Sequence, residues 1–284
     1  VAHRQEILGH PLVDELRFNT ISPRAEPIPD LLARLRGECA GKRLWIDLKG
    51  RQLRIARFAF LPYAHVELNH RIRVRVPTEI WLFDGVARVE AVVDGCRLIL
   101  SGRPFRVLGE GEPVNILDPT LEVLDPLPRR DVEFIEAARR LGMHDYMLSF
   151  VESEEDLRRV RDLDPQARVV AKIESLPGLD FVRTRPRRVR LMAARDDLFI
   201  QMGRDKTGIL EALRLIIRAD PQAIAASRLL ESLQEGEALR LADLSDLALL
   251  EHLGYRTFML GDGICFRQEC FQRAMQVWER YFRR

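Results

Sequence analysis

Arg168-Val169-Val170-Ala171-Lys172-Ile173-Glu174-Ser175 is a short apolar run that reads as a buried strand with a lysine inside it. The chain has 45 Lys and Arg residues, yet only Lys42, Lys49, Lys172 and Lys206 are lysines, so its surface cations are almost all arginine. A lysine in an apolar strand must shed its hydration, which is costly without a partner. Glu174 lies two residues on, and side chains two apart leave the same face of a strand. The pair is either a structural ion pair at the mouth of a barrel or a lysine and a carboxylate set there for chemistry.

Outward from this strand, short apolar runs alternate with helical patterns. The expected strands are Val13–Asn19, Arg43–Leu48, Tyr146–Val151, Arg168–Glu174, Arg188–Ala194, Gln222–Ser227 and Tyr255–Leu260. Helical periodicity covers Asp131–Leu141 (closed by Gly142), a segment capped by Ser153 with Asp156 three residues on, Thr207–Arg218, Asp243–Leu253 (closed by Gly254) and Gln268–Phe282. From Tyr146 onward strand starts recur every ~20 to 35 residues, the rhythm of βα units around a parallel sheet. A first strand and helix are hard to find in Val1–Pro11. Between Arg54 and Pro113 the rhythm gives way to shorter strands, Arg71–Val76, Val86–Val93, Cys96–Leu100 and Phe105–Leu108, punctuated by Asp84-Gly85, Asp94-Gly95 and Ser101-Gly102. Arg71, Arg73 and Arg75 alternate along one of them, as a solvated strand face or as a stripe turned to phosphate. The expected fold is an α/β barrel of the TIM (β/α)8 type with a small all-β insert: residues 1–54 and 114–284 form the barrel, and 55–113 a β-rich lid.

The composition allows this. A chain of 284 residues with 46% hydrophobic content can bury a large core, and a net charge of +2 argues against a nucleic-acid surface. The preference for Arg over Lys reads as genome composition. No apolar run approaches the ~18 residues of a membrane span, and no signal peptide is visible, so a cytoplasmic protein is expected. The first residue is Val1, which leaves open a missing N-terminal segment. Cys39, Cys96, Cys265 and Cys270 form no CxxC pair and read as reduced structural thiols. His144 and Asp145 read as loop residues before a strand. Trp278, Tyr281 and Phe282 read as packing residues at one end of the barrel or on a homo-oligomer surface.

In βα barrels the reactive groups come from the C-terminal ends of the strands. Here those ends carry Arg17 and Asn19, Asp47 and Lys49, Lys172 and Glu174, Asp197, and Ser227. Glu174 and Asp197 offer hard oxygen ligands suited to Mg2+ or Mn2+. Arg17 is a natural clamp for phosphate or carboxylate. Lys172 would offset charge on a phosphoryl or enolate oxygen.

These segments resemble the pyruvate kinase family. Val170-Ala171-Lys172-Ile173-Glu174-Ser175-Leu176-Pro177-Gly178 is similar to the family's AKIEN-x-x-G, and Met192-Ala193-Ala194-Arg195-Asp196-Asp197-Leu198 to MVARGDL. Ile46-Asp47-Leu48-Lys49-Gly50-Arg51-Gln52-Leu53-Arg54 resembles LDTKGPEIR, and Leu16-Arg17-Phe18-Asn19 resembles RxNFSH. Ala226-Ser227-Arg228-Leu229-Leu230-Glu231-Ser232 resembles ATQMLES, and Gly111-Glu112-Pro113-Val114-Asn115-Ile116 resembles GVNLPG. The matches run in family order from residue 16 to 262. The resemblance implies a barrel with a β insert that binds phosphoenolpyruvate or another 2-oxo acid, with ADP or ATP as a further partner. It implies that Lys172 stabilises the phosphoryl group and the enolate, that Glu174 and Asp197 hold the divalent cation, and that Arg17 binds phosphate. It puts Arg54 near nucleotide phosphates and Asn19 and Asp47 at positions linked to a monovalent cation. Ser227 and the backbone N–H groups of Asp196 and Asp197 would face the substrate carboxylate.

The chain also departs from the pattern. Thr20-Ile21-Ser22 replaces the family's Ser-His, Asp196 replaces the glycine before the metal aspartate, and Gly261-Asp262-Gly263-Ile264 replaces SGET. Gly261-Asp262-Gly263 itself reads as a tight turn or a phosphate cradle. The insert is about half the expected length, and no C-terminal allosteric domain is expected after the helix that reaches Arg284. The readings are a compact pyruvate kinase-like phosphotransferase, a Mg2+-dependent 2-oxo acid lyase or aldolase on the same barrel, and a non-catalytic binding or regulatory homologue.

Overall fold

Period-two alternation of side chains decides how the seven expected strands are used. A computed structural model describes residues 3–21, 25–59, 65–82, 85–101, 108–184, 189–235 and 238–282. In it the strands are β1 (Glu15–Asn19), β2 (Arg43–Leu48), β3 (Asp145–Leu148), β4 (Arg168–Ile173), β5 (Arg190–Ala194), β6 (Ile224–Ala226) and β7 (Thr257–Met259). They form one seven-stranded sheet in chain order, and every neighbouring pair is parallel. Ile46, Leu48, Ala171, Ile173, Leu191, Ala193 and Ala225 turn outward into the main core, against Phe134, Leu157, Val160, Ile216 and Leu247 of the covering helices. Trp45, Met147, Val170, Met192, Ile224 and Ala226, the residues between them, form a separate inner cluster. Each fully buried side chain of this size contributes about 1.5–3 kcal/mol.

The sheet is curled. Glu15 of β1 accepts a hydrogen bond from Trp45 Nε1 at 2.9 Å and meets Arg190 Nη1 of β5 at 3.3 Å. Four strand steps in a flat sheet would separate these residues by ~19 Å. At the opposite edge Asp262, just past β7, pairs with Arg17 of β1 at 3.0 Å. A closed eight-stranded barrel is nevertheless not what the described residues form. They contribute seven strands, and β1 and β7 stay unpaired edges. Helices join those ends instead: Gln268 and Gln272 donate to Glu6 at 2.8 and 2.7 Å, and His3 Nε2 meets the Cys265 carbonyl at 3.0 Å. The segment that would have supplied a leading strand is the helix Arg4–Gly9.

The expected helix signals are present. Ser153 and Asp156 form the capping box of Glu154–Leu163, and Gly254, at φ +111°, ends Leu241–Leu253. Trp278 packs edge-on against Phe258 at 5.0 Å. All four cysteines are free. Among the described residues no helix is long and apolar enough to cross a membrane.

A second, antiparallel sheet has its own core, including Ile55, Val66, Ile80, Val89, Leu98 and Ile116. Its strands lie in the order Ile55–Ala59, His65–Leu68, Arg97–Leu100, Gly85–Val93, Thr78–Leu82 and Asn115–Ile116. Four of these, Ile55–Ala59, His65–Leu68, Thr78–Leu82 and Asn115–Ile116, are not among the strands expected from the sequence. The expected Arg71–Val76 strand shortens to Ile72–Arg73, paired with Glu122–Val123. Of the expected strand Phe105–Leu108, residues 105–107 lie outside the described residues, and Leu108 is in no strand.

Candidate functional site

Asp47 is the hub of the sheet's C-terminal rim. It is fully buried near the end of β2. Its Oδ2 accepts from Arg17 Nε at 2.9 Å and from Lys49 Nζ at 3.2 Å, and Lys172 Nζ lies 3.4 Å from Oδ1. Burial alone would push this carboxyl up. The cations Lys172, Lys49 and Arg17 outweigh burial and hold it well below the usual carboxylate range. Lys49 feels the opposite balance. Burial pushes its ammonium down to about 8, aided by Lys172, Arg17 and Arg54 and opposed by Asp47.

The turn that presents Lys49 depends on a glycine. Gly50 has φ +50°, and a Cβ there would run into the Ser149 carbonyl oxygen. Beneath it Asp131 accepts the backbone N–H groups of Lys49 and Gly50 at 2.9 and 2.8 Å. Burial pushes the Asp131 carboxyl up to about 6 despite those two hydrogen bonds.

Lys172 and Glu174 share the inner face of β4, as their spacing implies. Lys172 Nζ donates to Ser149 Oγ at 2.7 Å and pairs with Glu174 Oε1 at 3.2 Å. Burial opposes its charge, but Asp47 and Glu174 hold its pKa above the ordinary lysine value. Glu174 Oε2 accepts the Phe150 N–H at 2.7 Å. Burial pushes this carboxyl up; Lys172 opposes the rise and the Asp197 charge adds to it.

Asp197 follows β5 in the first turn of the helix Arg195–Gln201, where a carboxylate is favoured. Neutral amides hold it: Gln52 Nε2 donates to Oδ2 at 3.1 Å and Asn115 Nδ2 to Oδ1 at 3.1 Å. Gln201 fixes Asn115 at 2.8 Å. Arg54 donates to Gln52 Oε1 through Nε at 2.9 Å and Nη2 at 2.7 Å, and also to the Gly111 carbonyl. Burial lowers the Arg54 pKa against the pull of Asp197, Asp47 and Glu174.

Other expected residues have different surroundings. Asp196 turns to the rim and pairs with Arg228. Ser227, at φ +68°, gives its carbonyl to Arg195 Nη2 at 2.6 Å. Asn19 Nδ2 donates to Asp262 Oδ2 at 3.1 Å, so neighbouring side chains already engage both Asn19 and Asp47, the two residues linked to a monovalent cation. Arg71, Arg73 and Arg75 are all exposed, and Arg73 pairs with Glu122 at 3.1 Å. The sequence reading missed the parts played by Ser149, Gln52, Asn115, Asp131 and Asp262. Neutral amides carry no charge signal, and Asp262 reads only as part of a tight turn or a phosphate cradle, with no pairing to Arg17 or Asn19.

Among the described residues no group of three His, Cys, Asp or Glu side chains is placed to hold a metal ion. Both oxygens of Glu174 and both of Asp197 are engaged by protein groups.

No family model matches the chain. Two pyruvate kinases of Agrobacterium vitis are similar to it. One is 30% identical over 199 residues, which cover 66% of this chain and 39% of that protein. The other is 28% identical over 202 residues, covering 66% of this chain and 40% of that protein. The chain thus spans about two-fifths of the length of the curated relatives it matches. Over the matched two-thirds of this chain the relationship is pyruvate kinase-like.

Proposed function

We propose that the chain carries a pyruvate kinase-like site that acts on phosphoenolpyruvate or pyruvate through an enolate. The observation that carries this reading is Lys172: a buried ammonium held by Ser149 at 2.7 Å and Glu174 at 3.2 Å, at a strand end in a segment that resembles the family's. Glu174 and Asp197 would be the ligands of Mg2+ or Mn2+. A divalent cation held there would supply Lewis-acid stabilisation to an oxygen that turns negative. Lys172 would set a fixed positive charge beside that oxygen, held by partners that allow it little reorganisation. Arg17 would bind phosphate, Arg54 would approach nucleotide phosphates, and Ser227 with the N–H groups of Asp196 and Asp197 would line the substrate carboxylate. In this reading the seven strands belong to a (β/α)8-type barrel, residues 55–113 are its lid, and the protein works in the cytoplasm.

A second reading, a Mg2+-dependent 2-oxo acid lyase or aldolase, is favoured by one observation. Arg17, the phosphate clamp of the first reading, is already paired with Asp47 at 2.8 Å and Asp262 at 3.0 Å. Phosphoryl transfer to ADP also needs a closed site with the phosphates held in line.

Calorimetric titration with oxalate and with ADP tests both readings. Oxalate is expected to bind only with Mg2+ or Mn2+, and Glu174→Gln or Asp197→Asn is expected to abolish that dependence. Lys172→Met is expected to lower turnover of phosphoenolpyruvate or a 2-oxo acid by about 10²–10³-fold. Metal-independent oxalate binding, or full turnover in Lys172→Met, sinks both enzyme readings. ADP binding at ordinary kinase affinity that Arg54→Ala abolishes removes the case for the lyase.

A further inference from the structure

Arg17 is a clamp whose jaws are already full. Its Nε and Nη2 face Asp47 at 2.9 and 2.8 Å, and its Nη1 faces Asp262 at 3.0 Å. Asp262 also takes the Asn19 amide at 3.1 Å, so its two oxygens sit on two donors from the same face of β1. A phosphoryl or carboxylate group entering the mouth would use such a donor pair.

We propose that Asp262 is an internal anion that plugs this oxyanion position and is displaced when a phosphoryl group binds to Arg17 and Asn19. The two carboxylates on Arg17 are unequal. The Asp47 side chain is 1% exposed and also carries Lys49 and Lys172, whereas the Asp262 side chain is 41% exposed. Asp47 cannot leave without stranding buried cations, but Asp262 can turn into water at little desolvation cost. It opens the four-residue helix Asp262–Cys265 beyond β7 and lies between Gly261 and Gly263. With both carboxylates in place the guanidinium donors are all engaged, and an incoming phosphate must displace a carboxylate to reach them. Asp262 therefore sets an affinity threshold for phosphoryl ligands. This inference rests on the proposed reading of the mouth as a small-anion site.

The test uses inorganic phosphate as the probe, titrated calorimetrically into the full chain. Asp262→Asn keeps the shape and removes the charge, and Asp262→Ala removes both. Phosphate affinity is expected to rise at least about tenfold in each, since a charge-assisted contact no longer has to be broken first. Adding Arg17→Gln or Asn19→Ala to Asp262→Asn is expected to erase the gain. The Asn19 variant keeps the test decisive if loss of the buried arginine disrupts folding. Unchanged or weaker phosphate binding in both folded single variants overturns the proposal, and so does a gain that survives the second substitution. Metal-dependent oxalate binding reports the proposed function separately. If oxalate binds but phosphate affinity does not rise, the plug fails alone. If phosphate tightens but oxalate never binds, the plug stands and the enzyme reading falls.

Discussion

Asp47 and Asp197 serve the same mouth from β2 and from the helix after β5, and they are held in opposite ways. Asp47 is sealed behind Arg17, Lys49 and Lys172, so its charge is consumed within the protein. Asp197 is held by the amides of Gln52 and Asn115, which orient a carboxylate without neutralising it. Asp131 is a third case, held by two backbone N–H groups. Environment rather than residue type sets them apart: Asp47 is a counterion, Asp131 a turn clasp, and Asp197 a carboxylate oriented by neutral amides.

The largest effect that would break this comparison comes from Asp47→Asn. The variant leaves three cations crowded around a neutral amide, and about 3–5 kcal/mol of stability is expected to be lost in urea unfolding. A loss no greater than that of an ordinary surface change would mean that Asp47 is not their counterion.

A smaller effect sharpens the contrast through pH. Asp131 titrates near 6 in the folded chain against an ordinary value of 3.8, so between those values the folded state holds a proton that the unfolded state has lost. Its contribution to stability therefore falls as pH rises through that window, by about 2 to 3 kcal/mol. Asp47 has the opposite sign. Its folded pKa is depressed, so its contribution is present above its ordinary value of 3.8 and is lost as pH falls below it. Urea midpoints measured across pH 3 to 7 are expected to lose the Asp131 slope in Asp131→Asn, which can still accept both N–H groups. A slope identical to that of the unsubstituted chain would show that Asp131 is ionised throughout.

The smallest effect is expected far from the mouth. Arg73 and Glu122 form a largely exposed pair. Arg73→Ala should change stability by no more than about 0.5 kcal/mol. It should also leave ADP affinity unchanged if the arginine stripe is a solvated face. Loss of ADP binding in that variant would extend the functional region onto the antiparallel sheet.

The parallel sheet was legible because period-two alternation writes itself into sequence. Trp45, Asp47 and Lys49 point one way and Ile46 and Leu48 the other, and the same holds for Val170, Lys172 and Glu174 against Ala171 and Ile173. The antiparallel sheet was less legible. Its strands are short and half-exposed, so Ile55–Ala59, His65–Leu68 and Thr78–Leu82 carry weak apolar signals.

The sequence by itself determined which side chains share a strand face, where helices begin and end, and that Lys172 and Glu174 must meet. Those facts depend on backbone periods of two and 3.6 and on local hydrogen bonds. Only the tertiary structure decided that Asp47 gathers three cations, that Gln52 and Asn115 orient Asp197, and that Asp262 closes on Arg17 from residues 245 apart in the chain. Those pairings exist because the sheet curls. Curling brings strand ends that are distant in sequence to within a few ångströms, and no local pattern records which partner will be waiting there.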